Sequence, residues 1–159
     1  MKNLLTVIAV LLTAQLFAQT HEIIKHDGEK LNVNFIKVED NLVCYSLPNS
    51  MEELKISRYA INQLNEKAKN NSKIISEKII LTKKSDYKKV VVLKESETIG
   101  LKKSNNLTSY LEKAKGETRW SRSKMGENRL KQNAAQKGYQ FIVITSNKTD
   151  ILKAIAYTY

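Results

Sequence analysis

Seven cations crowd around the only tryptophan of the chain, with Lys113, Lys115, Arg119, Arg122, Lys124, Arg129 and Lys131 all lying within eleven residues of Trp120. Guanidinium and ammonium groups pair with phosphate or sulfate, and an indole face adds stacking and cation-π attraction. Arg119, Trp120, Arg122, Lys124, Arg129 and Lys131 therefore form the candidate anion-binding set. The same residues have a plainer reading, in which Trp120 anchors a core or caps a helix and the cations coat its solvated face. Trp120 falls at the edge of the apolar stripe of its segment, so periodicity leaves both readings open.

Other chemistry is sparse. Nucleophilic catalysis needs a base within reach of Ser or Cys, and acid-base catalysis needs paired groups in one cleft. His21 and His26 are the only imidazoles, and their opposite parity on one strand sends their side chains to opposite faces. Cys44, between Val43 and Tyr45, fits a buried strand position better than a reactive thiol. Glu39-Asp40 and Glu52-Glu53 flank turns and read as solvated charge. The five glycines, at 28, 100, 116, 126 and 138, are too scattered for a phosphate loop. No cofactor and no enzymatic activity are expected. One metal arrangement depends on processing. Cleavage after Ala18 would make Gln19-Thr20-His21 the N-terminus, and its amine, two deprotonated amides and the His21 ring could offer Cu(II) or Ni(II) four nitrogens in a square.

That cleavage is expected because residues 1–18 combine a cationic start at Lys2, an apolar run from Leu4 to Phe17 and the small residue Ala18. The run is shorter than the roughly 20 apolar residues of a membrane span, and no later stretch matches it, so no transmembrane segment is expected in the mature chain. Gln19, rather than Cys, follows the cleavage point, which argues against lipid attachment there. With one cysteine in the chain, no internal disulfide can form. Charge is unevenly divided. Residues 19–73 carry eight Lys or Arg against eight Asp or Glu, whereas residues 74–159 carry eighteen against eight, a net of +10. Such asymmetry points the second half toward an anionic partner.

The elements that must position these groups follow from period and punctuation. Residues 19–66 read as a small all-β module of short strands, with Asp27-Gly28 as a hairpin turn. In Leu31 to Val38 the apolar residues change face at Ile36, which predicts a bend or bulge. Residues 67–73 read as a linker, and residues 74–159 as a basic α+β domain. Within it, Ile74 to Leu81 and Lys88 to Lys94 are candidate strands, Thr98 to Lys103 and Leu107 to Leu111 weaker ones. Thr118 to Lys137 should be helical, with a stripe of Ser123, Gly126, Leu130 and Ala134 packed closely on a sheet and Gly138 as its stop. Gln140 to Thr145 and Ile151 to Tyr159 read as a hairpin joined by the loop 146–150. The expected fold class is α+β, a small antiparallel meander or barrel followed by an antiparallel sheet carrying one main helix.

The segment from His21 to Tyr45, with Ile61 and Leu64, resembles a β module that opens many exported Bacteroidetes proteins. The segment from Asn128 to Thr145, with its Ala134-Ala135-x-x-Gly138 pattern and the closing Ala154-Ile155-Ala156-Tyr157, resembles small envelope domains in which a helix feeds a buried strand. Some domains of that type carry a heavy-metal-binding label, from which this chain departs because its second half has no His or Cys. The resemblance implies an exported protein and no activity. Together these features predict a non-catalytic periplasmic or secreted envelope protein that contacts an anionic polymer, lipid or acidic protein. A metal-binding protein and a hydrolase with an unfamiliar site are the alternatives.

Overall fold

The computed structural model describes residues 21–67, 69–111, 116, 118–148 and 151–159. They fall into two compact units, the first ending at Ser76 and the second spanning Glu77–Tyr159.

The first unit is one antiparallel sheet of β1 (His21–Lys25), β2 (Lys30–Glu39), β3 (Leu42–Ser46), β4 (Leu54–Ser57), β5 (Ile61–Glu66) and β6 (Asn71–Ile74), in the order β4-β3-β2-β1-β5-β6. The predicted face change is a bulge: Phe35 lies opposite Tyr45 but Lys37 lies opposite Cys44, leaving Ile36 as the extra residue. An extra residue restores the alternation, so Val38 returns to the face of Phe35 and pairs with Val43. Ile23, Val33, Val43, Ile56, Ile61 and Leu64 are buried on this scaffold. The sheet stays open, with β4 and β6 as its edges, so the barrel alternative does not apply. The meander covers β1 to β4, and β5 then returns to the far side of β1.

The expected linker 67–73 is a correction. Residues 71–73 belong to β6, where Leu64 pairs with Lys73 and Glu66 with Asn71, and Asn70 takes the turn at φ +51°. Asn tolerates that left-handed conformation, so the polar stretch is a hairpin turn and an edge strand. The unit continues to Ser76 because Ile75 N–H donates to Asn62 O at 2.9 Å, and Ser76 Oγ donates to Ile61 O at 2.7 Å.

The second unit places β7 (Val91–Val92), β8 (Lys102–Tyr110), β9 (Phe141–Lys148) and β10 (Ile151–Thr158) in the order β7-β9-β10-β8, with α1 (Arg119–Gln136) packed on one face. The hairpin β9-β10 and the pair β10-β8 are antiparallel as expected, whereas β7 runs parallel to β9. Three strand expectations change. Ile74 to Leu81 is strand only at Ile74, since the Tyr159 hydroxyl takes the Ile79 N–H at 2.9 Å. Of Lys88 to Lys94 only Val91–Val92 is strand, and Lys88 and Lys89 fall in a 3-10 turn over Lys84–Lys89. Asp86 winds this turn by accepting from Thr82 N, Thr82 Oγ1 and Lys83 N at 3.0, 3.0 and 3.2 Å. The two weaker candidates near 98–111 become the single strand β8, paired along β10. Residues 146–148, expected in a loop, extend β9, and Thr149-Asp150 lie outside the described residues.

The helix matches its prediction to within a residue at each end. Thr118 caps it by accepting from Ser121 N at 3.2 Å. At the other end Gly138, at φ +76°, closes it: Gly138 N–H donates to Ala135 O at 3.1 Å and Tyr139 N–H to Ala134 O at 2.9 Å. This is the paired C-terminal bonding that a left-handed glycine permits. Gly126, Leu130 and Ala134 are buried against Leu107, Leu111, Leu152, Ala154 and Ala156, while Ser123 is only half-buried. No helix among the described residues is long and apolar enough to cross a membrane. The aromatic C-terminus is structural: Tyr157 is buried, and Tyr159 meets Phe141 edge to face at 5.3 Å.

A methyl group on Gly126 would lie 2.8 Å from a Leu111 methyl and 2.9 Å from both Leu152 methyls. Ala favours a helix over Gly by about 1 kcal/mol, but overpacking costs roughly 1–3 kcal/mol. Gly126→Ala should therefore lower the urea midpoint slightly, and Gly126→Val, which adds bulk without the helix preference of Ala, should lower it well beyond that. A Gly126→Val protein as stable as the parent would disprove the close approach.

Candidate functional site

Helix geometry divides the six predicted anion-binding residues. Trp120, Lys124, Glu127 and Lys131 are spaced 4, 3 and 4 apart, which aligns them on one face. Trp120 is 77% exposed, so the core-anchor reading fails. Capping is performed by Thr118. Arg119 is exposed beside Trp120 in the first turn. Arg122 and Arg129 lie elsewhere on the helix. Arg122 is only 7% exposed, and Arg129 Nη1 donates to Tyr110 O at 2.8 Å. The structure thus leaves Arg119, Trp120 and Lys124 exposed with the half-buried Lys131 on the same face, buries Arg122, and ties the exposed Arg129 to the end of β8. Lys113 and Lys115 lie outside the described residues.

Glu127 interrupts the outer face. Its Oε1 lies 2.9 Å from Lys131 Nζ and 3.5 Å from Lys124 Nζ. Partial burial pushes this carboxyl up, but the two ammonium groups outweigh it and hold it below the ordinary carboxylate range. The acid was visible in the sequence. Its central place between two lysines follows from the same 4-3-4 spacing, and inspecting cations alone conceals it.

Macrodipole and side-chain charge disagree at this end of the helix. The first turn holds no acid, and Arg119 and Arg122 stand where the unpaired N–H groups already make the field positive. Cations there cost stability, on the order of 0.3–1 kcal/mol for an exposed group.

The remaining candidates separate in space. His26 Nε2 lies 2.9 Å from Ser76 Oγ, whose hydrogen is directed to Ile61 O. Ser76 Oγ must then accept from a protonated Nε2, so this ring fastens residues 75–76 to the first sheet. His21 opens β1, between Val33 and Glu66, with its ring 5.3 Å from Phe35. Its proposed partner Gln19 lies outside the described residues, and no cluster of three metal-ligating side chains occurs among the described ones. Copper coordination through the His21 amide nitrogen would have to be made at the first position of a paired strand.

One groove was not anticipated. His21, Phe35, Val38, Leu64, Glu66 and Lys73 line a depression of about 190 Å³ on one face of the first sheet. Pairing of residues 71–74 with β5 forms one wall of it. Its volume is below the roughly 300–1,000 Å³ usual for small-molecule sites, and its lining among the described residues carries no hydroxyl or thiol nucleophile.

Comparison with known protein families, with curated proteins and with solved structures finds no match for this chain.

Cys44 is fully buried between Lys37 and Lys55 of the neighbouring strands. Burial pushes its thiol up, and the Glu53 carboxylate adds to that shift. At pH 8 a soluble disulfide reagent should label the native protein far more slowly than the urea-unfolded chain. Equal rates in the two states would show that the thiol is open and ionised.

Proposed function

We propose that this chain is an exported, non-catalytic protein of the cell envelope whose second unit binds an anionic component through the exposed face of α1. The observation that carries this reading is the combination at the start of the helix. The sole tryptophan stands in solvent beside Arg119 and Lys124, and the exposed Arg119 occupies a first-turn place where its charge weakens the helix. Local rules are broken most often where a site requires it. Three of the four arginines of the chain lie in this helix, and Arg is the better reader of phosphate and sulfate. The net charge of +10 over residues 74–159 supplies the long-range attraction. Export rests on residues 1–18 and on the resemblance of both halves to exported envelope proteins.

Mass spectrometry of protein recovered from the periplasm or medium should give an N-terminus at Gln19. A membrane-held form that retains residues 1–18 would refute the export assignment.

Binding should be concentrated on α1. Arg119→Glu with Lys124→Glu should weaken retention on heparin roughly tenfold, taking each lost exposed pair at about 0.7 kcal/mol. Lys30→Glu with Lys37→Glu, in the first unit, should have little effect. Glu127→Gln should strengthen retention by releasing two lysines. Salt should weaken all binding, because exposed charges are screened within about 8 Å at physiological ionic strength. Equal losses from the two reversed pairs would reduce the interaction to bulk charge.

A further inference from the structure

We infer that the anionic component is a lipid bilayer surface, with Trp120 seated at the headgroup level and Arg119 and Lys124 paired to lipid phosphates; this rests on the anion-binding reading above. Three observations favour a membrane plane over a linear polyanion. Trp120 protrudes from the helix surface, 77% exposed. An indole has an apolar body and a single N–H donor, the combination that settles at the boundary between acyl chains and headgroups. The charge pattern is also short. Along the aligned face the order is Trp120, Lys124, Glu127, Lys131, and Glu127 is held by both lysines. A polymer tracking this row would meet a carboxylate after the first lysine. A plane that touches only the protruding start of the helix meets Arg119, Trp120 and Lys124. Attachment is peripheral, because the helix buries its apolar stripe of Gly126, Leu130 and Ala134 in its own unit and keeps no second apolar face for insertion.

Trp120 is the only tryptophan, so emission excited at the red edge, where tyrosine does not absorb, reports on this residue alone. Processed, exported protein should be titrated with phosphatidylglycerol vesicles and, separately, with phosphatidylcholine vesicles, following emission, iodide quenching and co-sedimentation. Phosphatidylglycerol should shift the emission to the blue and shield the indole from iodide, and phosphatidylcholine should do neither. Arg119→Gln with Lys124→Gln should weaken vesicle affinity about 25-fold, near fivefold for each cation removed. Trp120→Ala should weaken co-sedimentation without altering the circular dichroism spectrum, since the side chain is exposed. Lys30→Gln with Lys37→Gln should leave binding unchanged. Vesicle binding with unaltered emission, or equal binding to both lipids, would overturn the inference. Salt-sensitive heparin retention without any vesicle binding would defeat the lipid assignment and leave anion binding standing. Loss of both would remove both.

Discussion

The second unit depends on one steric constraint, the approach of α1 to its sheet at Gly126. Because this residue has no side chain, the methyls of Leu111 and Leu152 occupy the space that a Cβ would take. The helix therefore lies low enough for Leu130 and Ala134 to reach Leu107, Ala154 and Ala156 in one core, where each large aliphatic side chain contributes roughly 1.5–3 kcal/mol by leaving water. Closeness at Gly126 also sets the rotation of the helix. With Gly126, Leu130 and Ala134 against the sheet, Arg122 is carried into the buried flank and Trp120 is turned to solvent. The surface chemistry thus follows from where the smallest side chain is placed.

Rotation also determines which charges remain active. Seven cations near Trp120 suggest a dense basic patch, but the five that lie in α1 are spread around its circumference. Arg129 satisfies the carbonyl of Tyr110 at the end of β8, and the half-buried Lys131 is held by Glu127 at 2.9 Å, whereas Lys124 lies farther from that carboxylate, at 3.5 Å, and stays exposed. What remains among the described residues is a small pole at the helix start where Arg119 and Lys124 flank an indole. Its field adds to that of the unpaired N–H groups of the first turn. A surface that concentrates like charge at this end sacrifices some helix stability for a local positive potential.

The first unit combines the pairing of six strands with the burial of Ile23, Val33, Val43, Ile56, Ile61 and Leu64. Its strands are short, and the longest, β2, needs the bulge at Ile36 to keep its apolar residues on one face after Phe35. The stretch after Asn70 is held by β5, by Ile61 O and Asn62 O, and by the His26 ring through Ser76. A histidine whose ring donates to a serine hydroxyl acts here as a fastener, and the groove that contains the other histidine is small and lacks a nucleophile.

The sequence alone determined the features that local chemistry controls. Thr118 and Gly138 bound the helix because a capping hydroxyl and a left-handed glycine act on neighbouring backbone groups, and the change of face at Ile36 called for a bend or bulge, which pairing with β3 made a bulge. The α+β class and the terminal hairpin were legible for the same reason, since period and punctuation are local. Tertiary structure decided the rest. Asn71 to Lys73 carry no signal of their own for a strand and became one only because β5 offered an open edge, while the β-branched run from Ile74 to Leu81 lost its strand to partners distant in sequence, among them the hydroxyl of Tyr159. The fate of the cation cluster was non-local in the same way. Spacing places Trp120 and Lys124 together, but whether that face looks into a core or into water depends on which side of the helix meets Leu111 and Leu152, and that is settled by packing between segments far apart in the chain.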